Sequence, residues 1–353
     1  MVFFLAEGLG KESETVQPGY DFHFPADHGS HEASRLEWWY FTGHLAGSGE
    51  KAGFELTFFR TKTGVKRDKK KRSAWEADTL FMANFAITDE LRKKFRATER
   101  IDRATLGRAG ADIGRLHAWV GRWEAREDQK TIFLTAEEGE GSEKAAIRLF
   151  LTPVKPPVIH GKRGTSPKDA QGKNFSRYYS YSRLTTTGEL TLGGKTVRVT
   201  GVSWMDHEFG SGFLAPEQEG WDWFSIQVND STEWMIYRIR NRDNSPPFSF
   251  GTAILPDGTS RGLSEKDFSI RSYGKWTSPS GVVYPTGWEI VIRESGEKLR
   301  LETSVAGQEL SVMGGNLKYW EGSVSVTGSS PAKSGVGYVE LTGYDSQLGN
   351  LLK

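Results

Sequence analysis

The chain has 353 residues and nearly balances 46 basic against 45 acidic side chains, so no global field recruits nucleic acid or another polyanion. It contains no cysteine, which excludes disulfide cross-links and thiol chemistry, and its length allows two domains with separate cores. With 41 glycines and 12 tryptophans, the composition favours turn-rich sheets with bulky cores over long helices.

No run reaches the roughly 18 apolar residues of a membrane-spanning helix. The apolar start at 2–6 lacks the length and basic flank of an export signal. Read as the remnant of a trimmed signal, it implies a periplasmic or secreted protein; otherwise the chain is cytoplasmic. Residues 1–34 show no sustained period. From Trp38 onward, short alternating segments separated by turn residues dominate. Phe54, Leu56 and Phe58 alternate with Glu55, Thr57 and Phe59, and Phe81, Ala83, Phe85 and Ile87 repeat the pattern. Residues 89–103 are the one place with a short helical signal. The basic stretch 62–72 reads as a solvated hairpin loop, with contact to an anionic membrane surface as the second reading. Residues 153–173, rich in Pro, Gly and Lys, read as a long exposed loop. The expected fold is all-β, built from antiparallel hairpins. A boundary falls within the Gly-bearing stretch 201–212, giving domains 1–205 and 206–353. The sequence around Glu37-Trp38-Trp39-Tyr40 is loosely echoed at Gly220-Trp221-Asp222-Trp223-Phe224, as two similar β-barrels in tandem would produce.

Carboxylates and an imidazole sit among indole rings in two places, 37–43 and 204–223. An acid in such water-poor surroundings holds its proton to higher pH, which suits it to protonating an apolar substrate. On a strand, Asp222 shares a face with Phe224, Ile226 and Val228, while Trp221 and Trp223 point the other way. A buried carboxylate must be paired, hydrogen-bonded or protonated. Asp222 is therefore either the partner of Arg238 or Arg240 on the next strand or a functional acid. Alternation also separates Trp204, Asp206 and Glu208 from Met205, His207 and Phe209. Asp206 and His207 thus diverge and cannot form a local dyad, while His207 can pair with Glu37. Asp27, His28 and His31 match no strong metal signature, and read better as a tie between the N-terminal arm and the first sheet or as a cap on a pocket mouth. No Gly-x-Ser-x-Gly elbow and no phosphate-binding glycine loop occurs.

The stretch FPADHGSHEASRLEWWYFTGHL at 24–45, together with VSWMDHEFGSG, GWDWFSIQ, YWEGSVSVTG and GYVELTGY further on, resembles the signature of the AttH and carotenoid 1,2-hydratase (CrtC-like) family, in order and over nearly the whole chain. Phe209 stands where that family often carries Trp. The resemblance implies two lipocalin-like antiparallel β-barrels and a hydrophobic ligand in a cavity spotted with polar groups.

The expectation that follows is an acid-assisted hydratase, lyase or hydrolase acting on an isoprenoid, polyene or lipid-like molecule. Asp206, His207, Asp222 and Glu37 are its candidate catalytic groups. Trp38, Trp39, Tyr179, Tyr181, Trp204, Trp221, Trp223 and Trp320 are its candidate substrate contacts. No metal and no cofactor is called for, and the expected partner is a hydrophobic small molecule. The alternatives are a lipid carrier using the same cavity and a sugar-binding protein with exposed indole platforms.

Overall fold

The computed structural model describes residues 19–63, 78–212 and 214–345. The apolar start at 2–6 and most of the basic stretch 62–72 lie outside them. The described chain is almost entirely β, in two nearly closed antiparallel barrel-like sheets, as two tandem lipocalin-like barrels require. Among the described residues, no helix is long and apolar enough to cross a membrane.

The first sheet runs, neighbour to neighbour, through Lys94–Arg103, Thr79–Asp89, Glu50–Lys62, Leu36–Gly47, Lys195–Gly212, Phe175–Leu192, Ala145–Pro153 and on to the short strands ending at Ala109–Ala111. The second follows the same plan with Ser260–Ser264, Phe248–Ile254, Glu233–Asn241, Gln218–Val228, Gly335–Leu341 and Leu317–Thr327. In each barrel the first long strand pairs with its own hairpin partner and with the closing strand, so Leu36–Gly47 and Gln218–Val228 are topological counterparts. That equivalence underlies the aromatic echo between the halves. The chain passes from one sheet to the other between Gly212 and Gln218, so residues 206–212, read as the start of the second domain, complete a strand of the first sheet.

Alternation sets what each face does. Phe54, Leu56 and Phe58 point into the first barrel with Trp39, Phe41, Tyr179 and Met205, each large side chain contributing about 1.5–3 kcal/mol by leaving water. Phe224, Ile226, Trp288, Leu301 and Trp320 fill the second. The residues between them in sequence point outward, yet many stay buried, because the barrels pack on each other through their outer faces. At Gly53 the approach is so close that a Cβ would lie 2.6 Å from the Ser323 Cβ. The barrels are also pinned by Lys155, whose Nζ donates to Glu233 at 2.5 Å and to the Leu255 carbonyl at 2.8 Å, and by Arg183 on the other Glu233 oxygen at 2.5 Å.

Two sequence expectations are corrected here. Residues 89–103 form no helix: the Asp89 carboxylate accepts from the Leu91 and Arg92 backbone amides, closing a turn, and Lys94–Arg103 returns as a strand paired with Thr79–Asp89. Residues 153–173 are not simply an exposed loop. They carry two short strands against Phe175–Leu192 and bury Lys155, His160, Ser166 and Lys168, which find fixed partners in the inter-barrel region.

Candidate active site

The outer faces of the two sheets enclose a cavity of about 170 Å³. Trp38, Phe59 and Met82 line it from the first barrel, and Trp221, Trp223 and Leu317 from the second. A polar row crosses the first sheet within this apolar setting. Strand register places Asn84 beside Thr57, Thr57 beside Tyr40, Tyr40 beside Asp206 and Asp206 beside Ser180, so all five share one face.

Asp206 is the carboxyl of this row. It is 3% exposed and lines the cavity. Its Oδ2 accepts from the Tyr178 hydroxyl at 2.8 Å, and its Oδ1 from the Trp204 indole at 2.6 Å and from Ser180. Burial pushes the carboxyl up to about 7, against the pull of those three donors, with Glu208 adding to the rise. Behind it the Ser180 hydroxyl meets His160 Nε2 at 2.6 Å, and His160 Nδ1 meets Thr252 at 2.9 Å. Burial holds this imidazole down to about 3, hence neutral.

Two more acids line the cavity. Glu208 is paired with Lys168 at 2.5 Å. Glu340, to which the Trp221 indole donates at 3.1 Å, is raised by burial to about 7. Deeper between the barrels, Glu321 accepts from Tyr40 and Glu55 from Thr57, and burial raises both carboxyls well above their ordinary range.

A carboxyl that keeps its proton near neutrality, facing indole rings across an apolar space, can protonate an alkene carbon while the ring faces stabilise the resulting cation. The raised pKa also has a stability consequence with a definite sign. Native Asp206 holds a proton that an unfolded aspartate loses near pH 4, so its contribution is full below about 4 and lost as pH rises through about 7. Relative to Asp206→Asn, which does not titrate, the wild type should lose melting temperature between pH 4 and pH 7. Parallel thermal melts across that range check this, and parallel curves would show that Asp206 is not held protonated.

The other face of the same strands builds a different cluster inside the first barrel. Glu37, wholly buried, accepts from His31 Nδ1 at 2.8 Å, His207 Nε2 at 3.0 Å and Arg60 Nε at 3.0 Å. Burial alone would raise this carboxyl, but His207 and His31 hold it well below its usual range. His31 also reaches Asp27 at 3.0 Å, and the Asp27 carbonyl lies 3.1 Å from His207 Nδ1. His28 bridges Tyr179 at 2.7 Å and Tyr181 at 3.1 Å. Among the described residues, His31, Glu37 and His207 bring metal-ligating atoms within 4.8 Å of one another. Their contacts through Glu37 are hydrogen-bond distances, however, and the Arg60 guanidinium on the second oxygen repels a cation. The set fits a hydrogen-bonded tether between the N-terminal arm and the sheet better than a metal centre.

Asp206, Trp38, Trp221 and Trp223 line the cavity, and Trp204 supports Asp206 from beside it. Glu37 and His207 pair as their sequence positions allow, but inside the first barrel. Trp39, stacked on His207 at 4.8 Å, lies there with Tyr179 and Tyr181, so these five are not placed to touch a ligand in the cavity. Trp320 fills the second barrel core and donates to the Ala306 carbonyl at 2.7 Å. Asp222 also belongs inside the second barrel rather than at the cavity. It is wholly buried against Arg238 at 2.8 Å and Arg240, with Tyr344 donating at 3.2 Å. Two guanidiniums pair with it there, away from the cavity, so it is not placed to reach a ligand in that space. His160, Lys168 and Asn84 were not singled out from the sequence. Their partners lie 20 to 235 residues away, and no local signal marks them.

A family model described as AttH-like matches residues 15–344. The crystal structure of an AttH-type protein from Nitrosomonas europaea is 30% identical, with a TM-score of 0.82 over 93% of this chain and 99% of that one. Kievitone hydratase from Nectria haematococca shares the fold at 14% identity, with a TM-score of 0.67 over 96% and 97% of the two chains. CghA does so at 13% identity, with a TM-score of 0.53 over 95% and 97%. No curated protein matches by sequence. The match of the family model across almost the whole chain, with the same two-barrel architecture in its 30% identical relative, places the chain in the AttH-like family.

Proposed function

We propose that the protein adds water across a carbon–carbon double bond of an apolar, isoprenoid- or polyene-like small molecule, with Asp206 as the proton donor. The observation that carries this is a buried carboxyl, protonated near neutrality, on the wall of a largely apolar cavity. In the step, the Asp206 O–H bond breaks and a C–H bond forms at one alkene carbon. The neighbouring cation faces Tyr40 and the indoles of Trp38, Trp221 and Trp223. Water bonds to that carbon through its oxygen and returns its surplus proton to the Asp206 carboxylate, so the acid is regenerated. Sharing its fold with a protein named as a hydratase supports this reaction class. The volume of about 170 Å³ is below the ~300–1,000 Å³ usual for drug-sized ligands, and suits a single slender chain.

The test is organic extraction of protein purified from its native host, identification of the ligand by mass spectrometry, and incubation of its alkene form in oxygen-labelled water. The expected product carries one labelled oxygen. Protein that arrives empty, takes up no lipid and incorporates no label would overturn the proposal.

A further inference from the structure

The polar row has two ends. Asp206 lies near one, and Asn84 stands at the other with chemistry left over. Between them, the Tyr40 proton is committed to Glu321 and the Thr57 proton to Glu55, two acids that do not themselves line the cavity. Asn84 is different. It is wholly buried, lines the cavity, and donates through Nδ2 to the Tyr319 hydroxyl at 2.6 Å, while its Oδ1 has no partner. Tyr319 reaches in from the second barrel and also lines the cavity. Its oxygen accepts from Asn84, and its own proton is given to no described residue. Around this pair stand Met82, Val312, Met313 and Leu317.

An amide oxygen buried without a donor is a costly arrangement that a ligand can relieve. One acceptor beside one donor is the complement of a single hydroxyl, which gives its proton to Asn84 and takes one from Tyr319. Turning the amide over exchanges the donor and acceptor and leaves the complement unchanged.

We propose that Asn84 and Tyr319 form a hydroxyl-binding subsite, and that the ligand is an apolar alcohol or phenol whose oxygen lies far from its reacting double bond. The distance follows from the register. Asp206, Tyr40, Thr57 and Asn84 are successive neighbours across four strands, three spacings apart, or roughly 14 Å along the sheet. The ligand then spans the cavity with its hydroxyl at the Asn84 end and its alkene at Asp206. The span rests on Asp206 being the acid of the proposed reaction; the hydroxyl subsite does not.

Farnesol and farnesene, a chain-matched pair with and without the hydroxyl, test it by quenching of tryptophan fluorescence. Wild-type protein should bind farnesol roughly tenfold more tightly, as a buried hydrogen bond implies. Asn84→Leu and Tyr319→Phe should each erase that preference without weakening farnesene, and Asp206→Asn should keep it. If Asn84→Leu fails to fold, the more conservative Tyr319→Phe decides. Equal binding of the two probes by wild type, or a preference that survives Tyr319→Phe, would overturn the subsite alone. Failure to bind either probe would overturn the subsite together with the apolar-cavity reading. A preference lost in the Asn84 and Tyr319 variants, with turnover intact in Asp206→Asn, would keep the subsite and remove the acid.

Discussion

Asp206→Asn should lower turnover by roughly 10²–10⁴-fold while leaving ligand uptake in place, the range expected when a positioned general acid is removed. Asparagine keeps the shape: its amide oxygen can still accept from Ser180 and Trp204, and its amide nitrogen meets the Tyr178 hydroxyl as a donor, so the surroundings stay bonded while the transferable proton is lost. The wild-type rate should be limited by the protonated form, and therefore fall as pH rises through about 7. Steady-state assays on the ligand recovered by extraction, from pH 5 to pH 9, measure both effects. Full activity in Asp206→Asn would rule out Asp206 as the proton donor. Asp222→Asn is the informative contrast. It strips charge from between Arg238 and Arg240, so its primary effect should be on folding rather than on the chemical step.

Glu37→Gln should cost about 3–5 kcal/mol of unfolding free energy, the usual consequence of breaking a buried ion pair and leaving its partners uncompensated. Glu37 faces His31, His207 and Arg60 together, at 2.8–3.0 Å. Its depressed pKa means that its stabilisation is present above the ordinary glutamate range near pH 4 and is lost as pH falls below it. Urea unfolding at pH 7 provides the comparison. A change under about 1 kcal/mol, the scale of an exposed pair, would show that the cluster is not the tether its geometry implies. Because the cluster lies inside the first barrel, away from the cavity, the folded fraction of this variant should retain ligand binding.

Asp206 and His207, the partner of Glu37, sit one residue apart on the same strand but serve opposite faces. His207 and Asp206 are sequence neighbours on Lys195–Gly212, and alternation alone sends one into the barrel and the other to the cavity. That divergence was legible in the sequence, as was the all-β fold, the pairing open to His207 and Glu37, and the side of the strand on which Asp222 lies. What alternation does not show is which face belongs to a barrel interior and which to an interface. In an isolated barrel the outer face is polar and wet, but here each barrel covers the other, so both faces carry rings and acids and read alike. Trp39 and Trp38 illustrate the ambiguity: adjacent indoles, one stacked on His207 in the barrel, the other on the cavity wall.

Residues 153–173 mark a second limit. Their Pro, Gly and Lys content has the composition of an exposed loop, yet Lys155, His160 and Lys168 are buried because each finds a fixed partner on a distant strand. Composition reports how a side chain would behave in water and carries no record of the carboxylate that meets it after folding.

By itself the sequence determined the periodicity, and with it the strands and their faces, because side-chain alternation is local and follows from backbone geometry, while the two-barrel plan was implied by the family resemblance. Only the tertiary structure decided which acid faces the cavity. Asp206 and Asp222 are both aspartates with a tryptophan within two residues, and burial raises the first to about 7, whereas Arg238 and Arg240 close on the second. Protonation depends on which charges arrive from elsewhere in the chain, and those distances exist only after the barrels have closed and packed.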